Sequence, residues 1–111
     1  MLQYDDAKRL YDEIAAKMAD NKDEDLQELY EDFLKAAAEY AKTRLSWSFM
    51  DLEARRADDG SRSMKHEAFM ARLIAVCRNL GIEGIEDLMP ERKSKGDFAC
   101  YVAAFLALEQ R

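Results

Sequence analysis

Apolar residues recur at three- and four-residue steps along most of this chain, which predicts helices. Ala7, Leu10, Tyr11, Ile14 and Met18 form the first stripe, placing a helix from about Asp5 to Met18 with Asp5 or Asp6 as its cap. Asp20-Asn21-Lys22-Asp23 breaks the rhythm with side chains that favour turns and caps, so the chain is expected to reverse there into a hairpin of two antiparallel helices. Leu26, Leu29, Tyr30, Phe33, Leu34, Ala37, Tyr40, Ala41, Leu45, Phe49 and Leu52 then keep one stripe with no Gly or Pro inside, predicting a long second helix from about Glu24 to Ala57. About 34 residues at 1.5 Å each would span roughly 50 Å, more than one small domain needs. Either a bend near Thr43 to Ser48 or a second subunit is required to accommodate its far end.

Ala57-Asp58-Asp59-Gly60-Ser61-Arg62-Ser63 reads as the clearest break, with Ser61 or Ser63 capping a third helix that runs to about Leu80. Gly81 suits the left-handed position that ends it, and Ile82 suits the apolar fold-back of a Schellman motif. Residues 84–96 read as a loop with a short helical turn at Ile85 to Met89, after which Asp97 caps a last helix from Phe98 to Glu109. That helix is apolar on nearly every face, so it must be surrounded, as a central helix or as half of a homodimer interface through Phe98 to Leu108. The expected fold is all-α: a four-helix bundle-like single domain over residues 1–111. It comprises an N-terminal acidic hairpin (1–57) and C-terminal helices at 63–81 and 97–110.

Composition sharpens this picture. A 49% hydrophobic fraction supports a core despite 36% charged residues, and 4 Gly with 1 Pro leave few interruptions to long helices. The first 34 residues hold 11 acidic against 4 basic side chains, whereas the remaining 77 are almost balanced, so the net charge of −6 belongs to the N-terminal third. Such acidity disfavours direct binding to nucleic acid or to an anionic membrane surface. No apolar run is long enough for a membrane span, and the start lacks a basic-then-apolar secretion pattern, which points to the cytoplasm. Cys77 and Cys100 lack CxxC spacing and clustered His partners, so reduced, buried thiols are expected, and no metal or cofactor.

Two groups of residues carry candidate chemistry. Asp25, Glu28, Glu31 and Asp32 form acidic rows that present several oxygens, as hard cations require, or simply a solvated face favouring a helix N-terminus. Glu28-x-x-Glu31-Asp32 with Glu83-x-x-Glu86-Asp87 resembles the acidic pairs of Mg-dependent all-helical nucleotide pyrophosphatases, but the second group sits where no long helix can present it. In the centre, Arg44, Ser48, Asp51 and Arg55 fall on one helical stripe beside Trp47, and Arg62 and His66 follow shortly after. If the second and third helices fold back on each other, these residues form a cationic, partly aromatic recess for a carboxylate, a phosphate or an acidic peptide, or a polar network joining the helices. Arg92, Lys93 and Lys95 make a basic loop patch that would ordinarily be solvated. Met18, Met50, Met64, Met70 and Met89 are expected to fill the core.

The pattern Arg44-x-x-Trp47-Ser48, Asp59-x-x-Arg62-Ser63-x-x-His66-x-x-Phe69, Cys77-Arg78-Asn79-Leu80-Gly81 and Gly96-Asp97-Phe98-Ala99-Cys100-Tyr101 resembles a family of small uncharacterised all-helical proteins from Gram-positive bacteria and their mobile elements, over about residues 24–111. The resemblance implies a helical fold and a bacterial or phage setting, and no site residue. The expected function is a noncatalytic protein-interaction module acting through Arg44 to His66 or the acidic hairpin. The alternative is an acidic inhibitor of host defence in which Asp25, Glu28, Glu31 and Asp32 mimic nucleic-acid phosphates.

Overall fold

The computed structural model describes residues 2–110, which form five helices. α1 (Tyr4–Ala19) follows Gln3, which makes no side-chain cap. Asp5 and Asp6 therefore do not cap it; they lie in its first turn, where negative charge complements the helix dipole. α2 (Glu24–Ser48) is capped by Asp23, whose carboxylate accepts from the Asp25 and Leu26 N–H groups.

The second helix is shorter than its apolar stripe suggests, and the break lies elsewhere. α2 ends at Ser48, and α3 (Leu52–Leu80) runs unbroken through the expected break at 57–63. Three local interactions account for the earlier stop. Asp51 caps α3 by accepting from Ala54 N–H at 2.8 Å, the Phe49 and Met50 N–H groups bond back to the Ser46 and Trp47 carbonyls, and Arg55 Nε donates to the Trp47 carbonyl at 3.1 Å. Gly60 meets only open space, and a helix passing through one exposed Gly loses about 1 kcal/mol, which the strong helix formers further out, at residues 52–57 and 64–73, offset. Ser61 and Ser63 are consequently interior helix positions and not caps.

α3 ends at Gly81, whose φ of 71° is open to glycine at little cost. The Gly81 N–H reaches the Arg78 carbonyl and the Ile82 N–H the Cys77 carbonyl, the Schellman pair that the sequence suggests. A short α4 (Ile85–Leu88) leads to α5 (Arg92–Glu109), which begins before Asp97 because Glu91, not Asp97, is its N-cap residue.

Paired residues give the directions of the helices. Phe33 stacks on Phe69, Tyr40 meets His66 edge-on and Lys65 Nζ donates to Thr43 Oγ1 at 3.0 Å, so α2 and α3 are antiparallel. Phe69 against Phe98 and Arg92 paired with Glu67 set α5 parallel to α3. α1 rests mainly on α5 and α3 instead of forming a tight hairpin with α2; Tyr11 packs on Phe105 and donates to Glu109 at 2.9 Å. Phe33, Phe69, Phe98, Ile14, Leu73, Met89, Val76 and Val102 fill the centre. Of the methionines expected there, Met18 and Met89 are buried, Met50 and Met70 half-buried and Met64 exposed.

Two surfaces depart from expectation. α5 buries only one face, through Phe98, Ala99, Val102 and Phe105, while Ala104, Ala107 and Leu108 face outward, so it is not wrapped all round. Between Thr43 and His66 no residue is buried, and the α2–α3 turn projects from the body along the 47 Å long axis. Among the described residues, no helix is long and apolar enough to cross a membrane.

Candidate functional site

The projecting arm meets the body at a recess of about 370 Å³, lined by Tyr40 and Arg44 of α2, Asp59, Arg62, Ser63 and His66 of α3, and Arg92 and Lys93 of α5. Three of the six residues expected to form a cationic recess therefore come together: Arg44, Arg62 and His66. Trp47 is just outside and half-buried, its ring under the Arg62 guanidinium at 4.6 Å and the Arg55 guanidinium at 5.7 Å. Asp51 and Arg55 do not belong to the site. Because α2 stops at Ser48, the expected stripe is cut, and these two side chains are used on the α2–α3 turn, as the cap of α3 and as a donor to the Trp47 carbonyl.

Charge in the recess is only partly compensated. Arg44 forms a 2.8 Å ion pair with Asp97 and donates to Cys100 Sγ at 3.8 Å. Arg92 pairs with Glu67. Arg62 and Lys93 have no ion-pair partner among the described residues, and Asp59 is the one acid that lines the cavity. The remaining local field is positive, in contrast to the chain as a whole.

His66 is the most constrained group. It is 6% exposed, packed edge-on against Tyr40, with Nε2 2.9 Å from the Arg92 carbonyl. A carbonyl only accepts, so Nε2 carries the hydrogen and, in the neutral ring, Nδ1 keeps its lone pair. Burial holds the imidazole below its ordinary pKa, a lowering that the bond to Arg92 opposes and the Arg92 and Arg62 charges reinforce. Nδ1 has no hydrogen-bond partner, and neither does the buried Arg62 Nε one helical turn earlier; among the described residues these are the two buried side-chain polar atoms left without one. An orphan of this kind costs about 1–3 kcal/mol; both atoms belong to residues that line the recess, though neither atom is itself reached by solvent.

Arg92, Lys93 and Tyr40 were not legible as site residues. The first two read as a solvated loop patch, yet they occupy the first turn of α5, where the N–H groups lack intrahelical acceptors and Glu91 supplies no side-chain cap. Pro90 just ahead of a run of helix formers is the signal that locates this start. Lys95, from the same patch, is turned inward, 7% exposed, and pairs with Glu86 at 3.1 Å. Tyr40 reads as one more member of the α2 apolar stripe.

On the acidic face, Asp25, Glu28 and Glu31 are exposed and Asp32 is half-buried. Among the described residues, no three His, Cys, Asp or Glu side chains converge as a metal site would require, so these acids are not joined by Glu83, Glu86 and Asp87. The two thiols are free: Cys77 is buried, which pushes its pKa up to about 12, while Cys100 is only half-buried. Comparison with protein families, curated proteins and solved structures finds no match to this chain.

Proposed function

We propose that this protein is a noncatalytic binding module whose partner presents an anionic group to the recess between α2, α3 and α5. The observation that carries the reading is the lining itself: Arg44, Arg62, Arg92 and Lys93 stand against the single acid Asp59, and Arg62 and Lys93 have no ion-pair partner among the described residues. A guanidinium N–H is a donor only, and it gains most from a charged acceptor. The volume, about 370 Å³, is at the small end of ligand sites and suits one anionic group with its immediate attachment. Nothing supports a nucleophilic role: Ser63 lines the same recess, but among the described residues no hydrogen bond joins it to His66, whose Nε2 is engaged by the Arg92 carbonyl.

Trp47, the only tryptophan, lies under Arg62 and provides the readout. Titration with inorganic phosphate and with sulfate at low ionic strength is expected to change its fluorescence saturably. Arg62→Ala should weaken that binding about tenfold or more, the worth of one charge-assisted hydrogen bond, whereas Arg9→Ala on the exposed face of α1 should leave it unaltered. Absence of saturable binding by either anion would overturn the reading.

A further inference from the structure

Resting on the anion-binding reading above, we infer that the anion is the oxyanion head of a small amphipathic molecule whose apolar body lies in a second cavity beside the recess. That cavity, of about 550 Å³, is lined by Leu2, Arg44, Lys93, Asp97, Cys100 and Tyr101. Lys93, Asp97, Cys100 and Tyr101 fall at i, i+4, i+7 and i+8, so they share one face of α5. Arg44 reaches this face from α2, pairing with Asp97 at 2.8 Å and donating to Cys100 Sγ at 3.8 Å. Leu2 adds an apolar side chain from just before α1. Arg44 and Lys93 are common to the two linings, which puts the cavities side by side.

Charge divides the work between them. The recess sets Arg62, Arg92 and the two shared cations against Asp59 alone. The second cavity has only the shared cations, and there Arg44 is already neutralised by Asp97, which does not line the recess. Its remaining surface is mainly apolar, from Leu2, the Tyr101 ring, the Cys100 thiol and the methylene stems of the two cations. An oxyanion is therefore drawn to the recess and disfavoured beside Asp97, whereas an apolar group gains by leaving water for the second cavity. Lys93, without an ion-pair partner among the described residues, suits the junction: an ammonium for the head and a methylene stem for the body. Each volume lies within the roughly 300–1,000 Å³ of small-molecule sites. The described elements are all helices, so they offer no strand edge on which an extended peptide could pair. Cys100 supplies a reporter, since it is half-buried and lines the second cavity alone, while Cys77 is fully buried.

The test uses the whole protein and two homologous series, alkyl phosphates and alkyl carboxylates from methyl to hexyl, followed by Trp47 fluorescence at low ionic strength. In at least one series each CH₂ that leaves water should tighten binding about threefold, so the hexyl compound should bind about tenfold or more tightly than the methyl one. Hexan-1-ol, with the same chain and no charge, should bind about tenfold or more weakly than that hexyl anion. Burial holds the Cys100 thiol above its ordinary pKa, so its alkylation by iodoacetamide is followed at mildly alkaline pH. The hexyl anion should slow that reaction and inorganic phosphate should not, a measurement that needs no variant. Affinity independent of chain length in both series, or Cys100 labelling untouched by the hexyl anion, overturns the amphipathic assignment and leaves the anion site standing. Hexan-1-ol binding as tightly as the hexyl anion also overturns it, because head and body would then be separate events. A short peptide with a glutamate beside a leucine that binds more tightly than every alkyl anion overturns the small-molecule identity in favour of a protein partner. No binding by any anion, inorganic phosphate and sulfate included, removes both readings.

Discussion

A neutral imidazole held in a cationic neighbourhood makes His66 a stability determinant. Its native pKa is lowered, so the unfolded chain binds this proton more readily than the folded one, and unfolding is favoured as pH falls through the ordinary histidine range. The protein should therefore lose stability from about pH 6.5 downward, before its carboxylates titrate, with a slope of at most about 1.4 kcal/mol per pH unit from this single proton. Urea midpoints across that range should show the slope in the wild type and lose it in His66→Asn. A flat wild-type profile would mean that the ring is solvated in both states. The residue was recognisable in the sequence as the lone histidine after an arginine, but its role was not. That role depends on which ring nitrogen the Arg92 carbonyl engages, 26 positions away.

At the scale of helices, Gly96, inside α5, is the one glycine against which another helix packs closely. A Cβ built there would lie 2.9 Å from the Tyr40 hydroxyl and 3.1 Å from its ring, and Tyr40 is itself held against His66. Ala is normally favoured over Gly inside a helix by about 1 kcal/mol. Here the clash falls on the buried Tyr40 ring, and overpacking of that kind costs about 1–3 kcal/mol. Gly96→Ala is thus expected to destabilise the protein by about 1 kcal/mol net and to weaken anion binding, because Tyr40 lines the recess and packs edge-on against His66. Denaturant melts and the Trp47 titration on the same variant check both. The sequence marks Gly96 only as the edge of a loop, since helix propensity contains no information about what lies across the interface. The α2–α3 boundary was misplaced for a related reason. The apolar stripe continues through Phe49 and Leu52, but those side chains are 84% and 66% exposed, so periodicity there marks no buried face.

For the whole molecule, exposed apolar surface is concentrated away from the helix that the sequence marks as an interface. Leu45, Phe49 and Leu52 stand exposed at or beside the α2–α3 turn, whereas α5 has one large exposed apolar side chain, Leu108, beside the small Ala104 and Ala107. Self-association at high concentration should accordingly be reduced by Phe49→Asp and left unaffected by Leu108→Asp, as read by sedimentation velocity. The opposite ranking would restore α5 as the contact.

The apolar spacing alone determined the all-helical class, the first helix, the end of α3 at Gly81 and most of the buried set, because local periodicity and capping chemistry act within a few residues. The polar stripe and the residues after it pointed to Arg44, Trp47, Asp51, Arg55, Arg62 and His66, of which Arg44, Arg62 and His66 meet in the recess. Which cations stay uncompensated, which ring nitrogen keeps its lone pair, and that the start of α5 closes the recess were decided only by tertiary structure. Each depends on a partner that the chain brings near by folding, and no local pattern encodes that distance.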